Sequence, residues 1–238
     1  LIERLTLGVA TTLEKRPGVS EVSLSKFPQA ERHTLVGWEQ RNSCILPDDL
    51  KSFYLTTNGL LLTWKVNIND TKVPVGEMKI NSINELSKLS HAGSTATMGS
   101  NITIADVEHE GDDEPHFDGR SRIFELDACN GVGKVCLVYM KAVPGLPAQN
   151  AEIWFLDRSL CWSHLATNFT TYYRLMLMHM GLPQWYYSCT DVGLSPKAKQ
   201  WCNLYAPVRL GLDENEVTQD EVEMPTVKVD LTRAFKGK

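Results

Sequence analysis

The sequence predicts an α+β fold in which a central antiparallel or mixed β-sheet is flanked by helices. Apolar residues alternate with polar ones at residues 60–80, 121–139 and 152–156, a pattern typical of strands. Stretches with apolar residues three or four positions apart lie before and after these strands and favour amphipathic helices. A chain of 238 residues, 42% of them hydrophobic, is long enough to bury one substantial core.

The amino-terminal part predicts two helices separated by a short strand. Within residues 1–16, Ile2, Leu5, Val9 and Leu13 share one helical face, and Pro17-Gly18 ends the pattern. A strand at residues 19–24 and a second helix at residues 28–40 follow.

The segment from Trp38 to Trp64 predicts a helix, a turn and a strand around which the rest of the chain is organised. Pro47 suits the first turn of a helix, and two aspartates follow it where the helix dipole favours negative charge. Asn58-Gly59 supplies a residue that readily adopts the left-handed backbone conformation in which helices end. The apolar run at residues 60–62 then begins a strand.

Residues 60–80 predict two strands joined at Asn69-Asp70, and Pro74 with Gly76 places an edge or a bulge in the second strand. Ser82 and Glu85 have capping-box spacing, which favours a short helix to Leu89. Residues 91–118 form a long polar interruption. Positions 101–118 within it hold seven acids and no lysine or arginine, so we expect a partly disordered acidic loop.

The second half predicts a hairpin, a strand and two helices. The hairpin spans residues 121–139 with its turn at Asn130-Gly131, and the strand spans residues 152–156. Asp157 is expected to cap a helix whose apolar residues include Leu165, Phe169 and Met180. Ser195-Pro196 then begins a last helix that ends before Pro207. The predicted domain therefore covers residues 1–207, and residues 208–238 are expected to form a flexible charged tail.

Composition excludes several classes of function. The net charge is −5, and no basic cluster interleaved with aromatic residues appears, so nucleic-acid binding is not indicated. No signal peptide and no apolar run of membrane length is present, and we expect a cytosolic protein with free cysteines. The six cysteines lack the spacing of a zinc site.

The motifs that resemble catalytic or ligand sites have simpler interpretations. Gly131-Val-Gly133-Lys134 lacks the first glycine and the hydroxyl residue of a phosphate-binding loop, so a hairpin turn explains it. The acidic loop matches no metal-binding spacing. His164 and His179 are expected on the long helix as partly buried polar residues, without an adjacent nucleophile motif. No catalytic, cofactor-binding or metal-binding residue is predicted.

Five aromatic residues fall outside clear core periodicity and are candidates for protein interaction. They are Trp185, Tyr186 and Tyr187 in a loop, and Trp201 and Tyr205 in the last helix. Aromatic residues with polar groups are favoured at protein interfaces. The alternative, which the burial tendency of aromatic residues favours, is that they tether the last helix to the body.

Two resemblances to known families extend this reading. Leu46-Pro47-x-Asp49-Leu50-Lys51-x-Phe53-Tyr54 followed by Asn58-Gly59 resembles the signature of Smi1/Knr4 domains. Longer blocks resemble the tubulin polyglutamylase complex subunit 2 family over residues 1–207, whereas the tail does not. These blocks lie at 30–33, 38–40, 53–59, 124–127, 134–139, 152–158, 172–175, 181–185 and 195–201.

The second resemblance implies a non-catalytic scaffold or adaptor subunit without cofactors. Its implied partners are the other subunits of the tubulin polyglutamylase complex, including a tubulin-tyrosine-ligase-like catalytic chain, with tubulin contacted indirectly. The implied location is the cytoplasm and the cytoskeleton, at microtubules, the centrosome or the ciliary base. The alternative is a Smi1/Knr4-type binding module, of the kind found in immunity or signalling proteins, with a different partner.

Overall fold

A computed structural model of the chain describes residues 6–89 and 120–220, with side chains as far as Asp213. It contains a three-stranded antiparallel sheet in the order β1-β2-β3 and a four-stranded antiparallel sheet in the order β4-β5-β6-β7. The strands are β1 Val19–Leu24, β2 Leu60–Ile68, β3 Thr71–Ile80, β4 Arg122–Asp127, β5 Gly133–Tyr139, β6 Glu152–Asp157 and β7 Trp162–Ala166. The α+β class is confirmed, with the strands divided between two sheets.

Helices precede, separate and follow the strands. They are α1 Val9–Glu14, α2 Arg32–Asn42, α3 Asp48–Tyr54, α4 Phe169–Met178, α5 Pro196–Tyr205 and α6 Pro207–Asp220. Short 3-10 turns lie at Cys129–Gly131 and Trp185–Cys189. The first predicted helix is confirmed at Val9 and Leu13, which both lie in α1. Residues 1–5 lie outside the described part of the chain.

The hairpin of β2 and β3 follows its sequence pattern closely. Alternate residues of β2, including Leu62 and Trp64, are buried, and Asn69-Asp70 turns the chain with both φ angles positive. The predicted bulge lies in β3 between Pro74 and Gly76, where the pairing with β2 shifts by one residue, and β3 is an edge strand. A Cβ at Gly76 would lie 1.9 Å from Trp64 Nε1. Glycine is therefore required for the indole to cross the strand.

The segment that resembles the Smi1/Knr4 signature has structural roles. Asp49 accepts a hydrogen bond from its own helix at Leu50 N (2.9 Å) and another from Thr170 N (2.8 Å) at the start of α4. Lys51 pairs with Glu39 at 2.9 Å, and Glu39 also accepts from Leu46 N at 2.8 Å. These bonds join α2, α3 and α4 around one corner of the molecule, so the signature describes how helices are fastened together.

One apolar core extends across both sheets. Buried residues of β2 and β3 belong to the same cluster as those of β4, β5, β6 and α4. Asn81 connects the sheets, because its backbone N–H donates to Leu126 O at 2.9 Å and its side chain donates to Glu125 O at 3.3 Å. Tyr54 OH also donates to Asn81 O at 2.9 Å. The sheets are thus joined by packing and by hydrogen bonds.

The helix predicted to start behind Asp157 is shorter than expected. Asp157 Oδ1 accepts from Ser159 N (2.7 Å) and Cys161 N (2.9 Å), so it caps a turn that leads into β7. Leu165 and His164 lie in that strand, and α4 begins only at Phe169, capped by Asn168. The prediction that His164 lies on a helix is wrong. His179 ends α4 as its C-cap residue.

The prediction of a helix at residues 82–89 is also wrong. The capping-box bond exists, with Ser82 N donating to Glu85 at 3.0 Å, but the chain turns there and continues extended. Leu89 N donates to Ile123 O at 2.9 Å, and Lys88 forms an isolated bridge with Phe124. Pairing with β4 has replaced the helix.

The predicted boundary at residue 207 is wrong because Pro207 begins a helix. α6 continues to Asp220, and Leu210 and Asp213 on it are buried. The start of the predicted tail therefore belongs to the packed body. The predicted acidic loop at 101–118 and residues 221–238 lie outside the described residues.

Candidate protein-interaction surface

Trp185, one of the five candidate aromatic residues, lies in the interior. Its side chain is 1% exposed. Its ring stacks on His179 with centroids 4.8 Å apart and on Tyr172 with centroids 6.1 Å apart. The adjacent Tyr186 is also buried and stacks on Phe155 at 5.1 Å. Trp185 thus packs the segment after α4 against that helix, and Tyr186 packs it against the four-stranded sheet.

Trp201 and Tyr205 join α5 to the three-stranded sheet. Tyr205 is buried, its ring lies 5.0 Å from Trp64 in an edge arrangement, and its hydroxyl donates to Pro17 O at 3.3 Å. Trp201 is partly exposed and stacks on Tyr205 at 6.1 Å. Trp201 therefore covers the tether on its solvent side.

Burial separates the candidate residues into two groups. Trp185, Tyr186 and Tyr205 are enclosed by the fold, which favours the tethering alternative for these side chains, and their role in partner contact stays a prediction. Tyr187 and Trp201 are partly exposed, and interaction through them stays a prediction. Tyr187 is itself anchored, because its hydroxyl donates to Val132 O at 2.9 Å.

A buried ionic cluster fastens α6 to the end of α4. His179 Nε2 lies 3.0 Å from Asp213 Oδ2, and the side chains are 2% and 7% exposed. Arg209, one helical turn before Asp213, binds the other oxygen of its carboxylate. Burial raises the pKa of Asp213, but the hydrogen bonds and positive charges of His179 and Arg209 outweigh it and hold the pKa below its ordinary value. The cluster gives α6 a fixed position.

Ser188, His179 and Asp213 lie together but lack the geometry of a catalytic triad. Asp213 (3.0 Å) and Ser188 (3.5 Å) approach the same ring nitrogen, Nε2, whereas Nδ1 faces Leu175 O at 2.8 Å. A triad needs the carboxylate and the nucleophile on opposite ring nitrogens. The Ser188 hydroxyl donates to Trp185 O at 2.8 Å. This arrangement stabilises the fold.

Helices α5 and α6 also carry exposed apolar side chains, away from the buried residues that attach these helices to the body. Leu204 is 66% exposed, Val208 is 77% exposed and Leu212 is 50% exposed. Val208 and Leu212 are one helical turn apart on α6, while Leu210 between them points into the core. We call Trp201, Leu204, Val208 and Leu212 the carboxyl-terminal helical face. Sequence reasoning missed it by ending the domain at residue 207, although the four-residue spacing of Val208 and Leu212 indicated a helix.

Among the described residues there is no candidate for a metal site or for a membrane-spanning helix. Within residues 6–89 and 120–220, no group of three or more His, Cys, Asp or Glu side chains is arranged to hold a metal ion. In the same ranges, no helix has the length and apolar composition needed to cross a bilayer. The six cysteines all lie in these ranges, and none of them forms a disulfide.

Comparison with known proteins identifies the family. The chain is 46% identical over 245 aligned residues to rat tubulin polyglutamylase complex subunit 2, and the match covers all of this chain and 81% of the relative. The mouse protein of the same name matches at 46% identity, and the human one at 47% over 244 residues, covering 80% of that relative. The chain belongs to the tubulin polyglutamylase complex subunit 2 family.

Membership in the tubulin polyglutamylase complex subunit 2 family confirms one resemblance and corrects its extent. Similarity was expected to end at residue 207, yet the match covers the whole chain, including the residues after α5. No family model matches the chain, so the Smi1/Knr4 resemblance stays a prediction.

Proposed function

We propose that the chain is a non-catalytic adaptor subunit of a tubulin polyglutamylase complex. The observation that carries the proposal is identity of 46–47% over the full chain to three proteins named as subunits of that complex. In this role the chain supports assembly and positions a separate ligase subunit, a tubulin-tyrosine-ligase-like chain that adds glutamates to tubulin tails. Its partners are the other subunits, and tubulin is reached through them.

The described structure supports an adaptor over a ligase. Ligation of glutamate with ATP requires groups that cradle phosphates and hold magnesium. The glycine-rich turn at residues 131–133 is a hairpin connection between β4 and β5. The clustered ionisable residues around His179 are buried and bonded to each other. By contrast, the carboxyl-terminal helical face offers apolar area on a rigid support, as docking surfaces do.

We place the chain in the cytoplasm and at the cytoskeleton, at microtubules, the centrosome or the ciliary base. This location follows from the proposed role, because tubulin is the substrate of the complex after which the relatives are named. Fluorescent fusion of the full chain should label microtubule-based structures when the other subunits are co-expressed.

Reconstitution tests the proposed function. The full chain, carrying an affinity tag, is co-expressed with the other subunits of the complex and purified. We expect the subunits to co-purify, and we expect tubulin glutamylation by the purified complex to fall when this chain is left out. The chain alone, incubated with ATP, glutamate and tubulin, is expected to add no glutamate. Glutamylation by the chain alone, or failure of the folded chain to retain any subunit, would refute the proposal.

A further inference from the structure

Two neighbouring grooves share Ile45, which follows α2 and precedes α3. One has a volume of about 380 Å³ and the other about 400 Å³. Loop residues 149–152 line the first groove and loop residues 145–147 line the second. The first also contains Asp48, and the second also contains Glu39 and Arg122. The two depressions meet at Ile45, and we call them together the Ile45 groove.

The backbone of Ile45 is held firmly although its side chain faces solvent. Its N–H donates to Ala148 O at 2.8 Å, and its carbonyl accepts from Tyr139 OH at 2.9 Å. Arg122 Nη1 donates to the carbonyls of Asn42 (2.5 Å) and Ser43 (2.6 Å) just before it. The side chain is 36% exposed. Preorganisation of this kind lowers the entropic cost of binding.

An exposed apolar side chain, Leu146, lines the second part of the groove together with Ile45. Leu146 is 61% exposed, and a turn bond from Leu146 N to Val143 O (3.1 Å) holds its backbone. Exposed aliphatic residues that share a concave site with an ordered backbone are typical of pockets that accept one apolar side chain of a peptide.

Charge is distributed unequally along the groove. The charged residues of the first part are Asp48 and Glu152, both acids, and no lysine or arginine lines it. Glu152 accepts a hydrogen bond from Trp154 Nε1 at 3.1 Å and lies 3.8 Å from His164 Nε2. In the second part, Glu39 is paired with Lys51, and Arg122 keeps its positive charge while its N–H groups donate to backbone carbonyls. The Asp48 end of the groove is therefore acidic and the Arg122 end is basic.

We propose that the Ile45 groove binds an extended peptide segment of a partner protein, with an aliphatic side chain against Ile45 and Leu146 and a lysine or arginine beside Asp48 and Glu152. The complementary charges set the orientation of the segment and favour basic sequences over acidic ones. The groove is formed by elements other than α5 and α6, so this docking site goes beyond the proposed function. It is tested on the purified full chain without the complex.

Selection from a phage-displayed library of random eight-residue peptides tests the proposal. The full-length protein is the target, and the Leu146→Asp variant is used for counter-selection. We expect enriched peptides to combine an aliphatic residue with lysine or arginine. Synthetic fluorescent copies should bind by fluorescence polarisation, about tenfold more weakly when their basic residue is replaced by glutamate and more weakly at high salt. No enrichment, or enrichment of acidic peptides, would overturn the proposal.

Variants locate the binding site and exclude other occupants. Asp48→Asn combined with Glu152→Gln should weaken binding of the selected peptides about fivefold or more while preserving shape, and Val192→Asp, at a residue 74% exposed outside the groove, should leave binding unchanged. A synthetic peptide of residues 224–238, which contains four bases and one acid, is assayed in parallel. If that peptide alone binds, the occupant is this chain's own end and the proposal fails. Equal binding by the Asp48→Asn/Glu152→Gln variant and the wild type also overturns it.

Discussion

Trp185 and Trp201 differ in how completely protein surrounds them, and this decides what their removal does. Trp185 is 1% exposed and stacked between rings, so Trp185→Ala leaves a large cavity and should lower the free energy of unfolding by about 3–5 kcal/mol. Trp201 retains solvent contact. Trp201→Ala should therefore cost only about 1–2 kcal/mol, the smaller loss that follows when less apolar area is uncovered. Urea denaturation followed by circular dichroism measures both.

The same two variants separate tethering from partner contact. If Trp201 touches a partner, Trp201→Ala should reduce co-purification of the other subunits at a temperature where the variant is fully folded. Trp185→Ala should reduce co-purification only in proportion to its unfolded fraction. Equal unfolding free energies for Trp185→Ala and the wild type would contradict the burial argument for Trp185.

Asp127 gives a second prediction at the scale of one residue. Burial raises its pKa to about 6, against a smaller opposing effect of the hydrogen bond from Cys129 N. The folded state therefore binds the proton more tightly than the unfolded state. Asp127 adds most to the free energy of unfolding at pH values below the pKa that it has in the unfolded state. This contribution is lost as the pH rises through about 6.

Asp127→Asn should remove this pH dependence of the free energy of unfolding. The amide oxygen can still accept from Cys129 N, and no charge is buried at high pH. We expect the variant to gain roughly 2 kcal/mol over the wild type at pH 7.5 and little at pH 4. The measurement is urea denaturation at both values, with the exposed Asp191→Asn as the matched control. A gain that is equal at the two pH values would show that titration of Asp127 is not its cause.

At the scale of the element, α6 combines a buried attachment with an exposed apolar side. Leu210 and the Asp213 cluster hold the helix, while Val208 and Leu212 face solvent. Charged replacements on the exposed side should leave stability within about 0.5 kcal/mol. The double variant Val208→Asp/Leu212→Asp should nevertheless lose most co-purification of the other subunits, because aspartate in an apolar interface is costly to desolvate.

Val192→Asp is the control for that variant, since Val192 is equally exposed but lies outside the carboxyl-terminal helical face. Melting temperatures of all variants establish that they are folded. Full retention of the subunits by Val208→Asp/Leu212→Asp would exclude this face from assembly and leave the proposed adaptor role to another surface.

Elements whose pattern depends on local chemistry could be predicted from the sequence. The β2–β3 turn at Asn69-Asp70 and the start of α5 at Ser195-Pro196 both use residues with strong backbone preferences, and Ser195 Oγ accepts from Ala198 N at 3.3 Å as an N-cap should. The same chemistry predicted the start of α3 after Pro47.

Elements decided by distant contacts could not be predicted in this way. β7 is only five residues long, and Leu165 lies four residues before Phe169, a spacing that imitates a helix. Residues 87–89 pair with β4, and this outweighs a capping box formed as expected. Among the candidate contact residues, aromatic composition did not distinguish an interface from a tether. That distinction depends on which neighbours fill the space around Trp185 and Tyr205.

At the scale of the whole molecule, the two sheets share one core and should unfold together. Leu62 in β2 and Leu137 in β5 are both fully buried members of the same apolar cluster. The backbone and side chain of Asn81 add hydrogen bonds to β4, and Tyr54 in α3 bonds to the carbonyl of Asn81. If the packing is this continuous, loss of one sheet exposes apolar surface of the other, and no state with a single intact sheet is stable.

We therefore expect urea unfolding curves from far-ultraviolet circular dichroism and from tryptophan fluorescence to coincide in one transition. Leu62→Ala and Leu137→Ala should each move that whole transition to lower urea, by about 2–5 kcal/mol in unfolding free energy, whichever signal is recorded. Ile68→Ala, at a residue 44% exposed on β2, is the matched control and should change little. Two separate transitions, one sensitive only to Leu62→Ala and the other only to Leu137→Ala, would show that the sheets are independent units. A chain that folds as one cooperative unit would hold the carboxyl-terminal helical face and the Ile45 groove at a fixed separation, and that separation would set which pairs of sites on partner proteins both surfaces could contact at once.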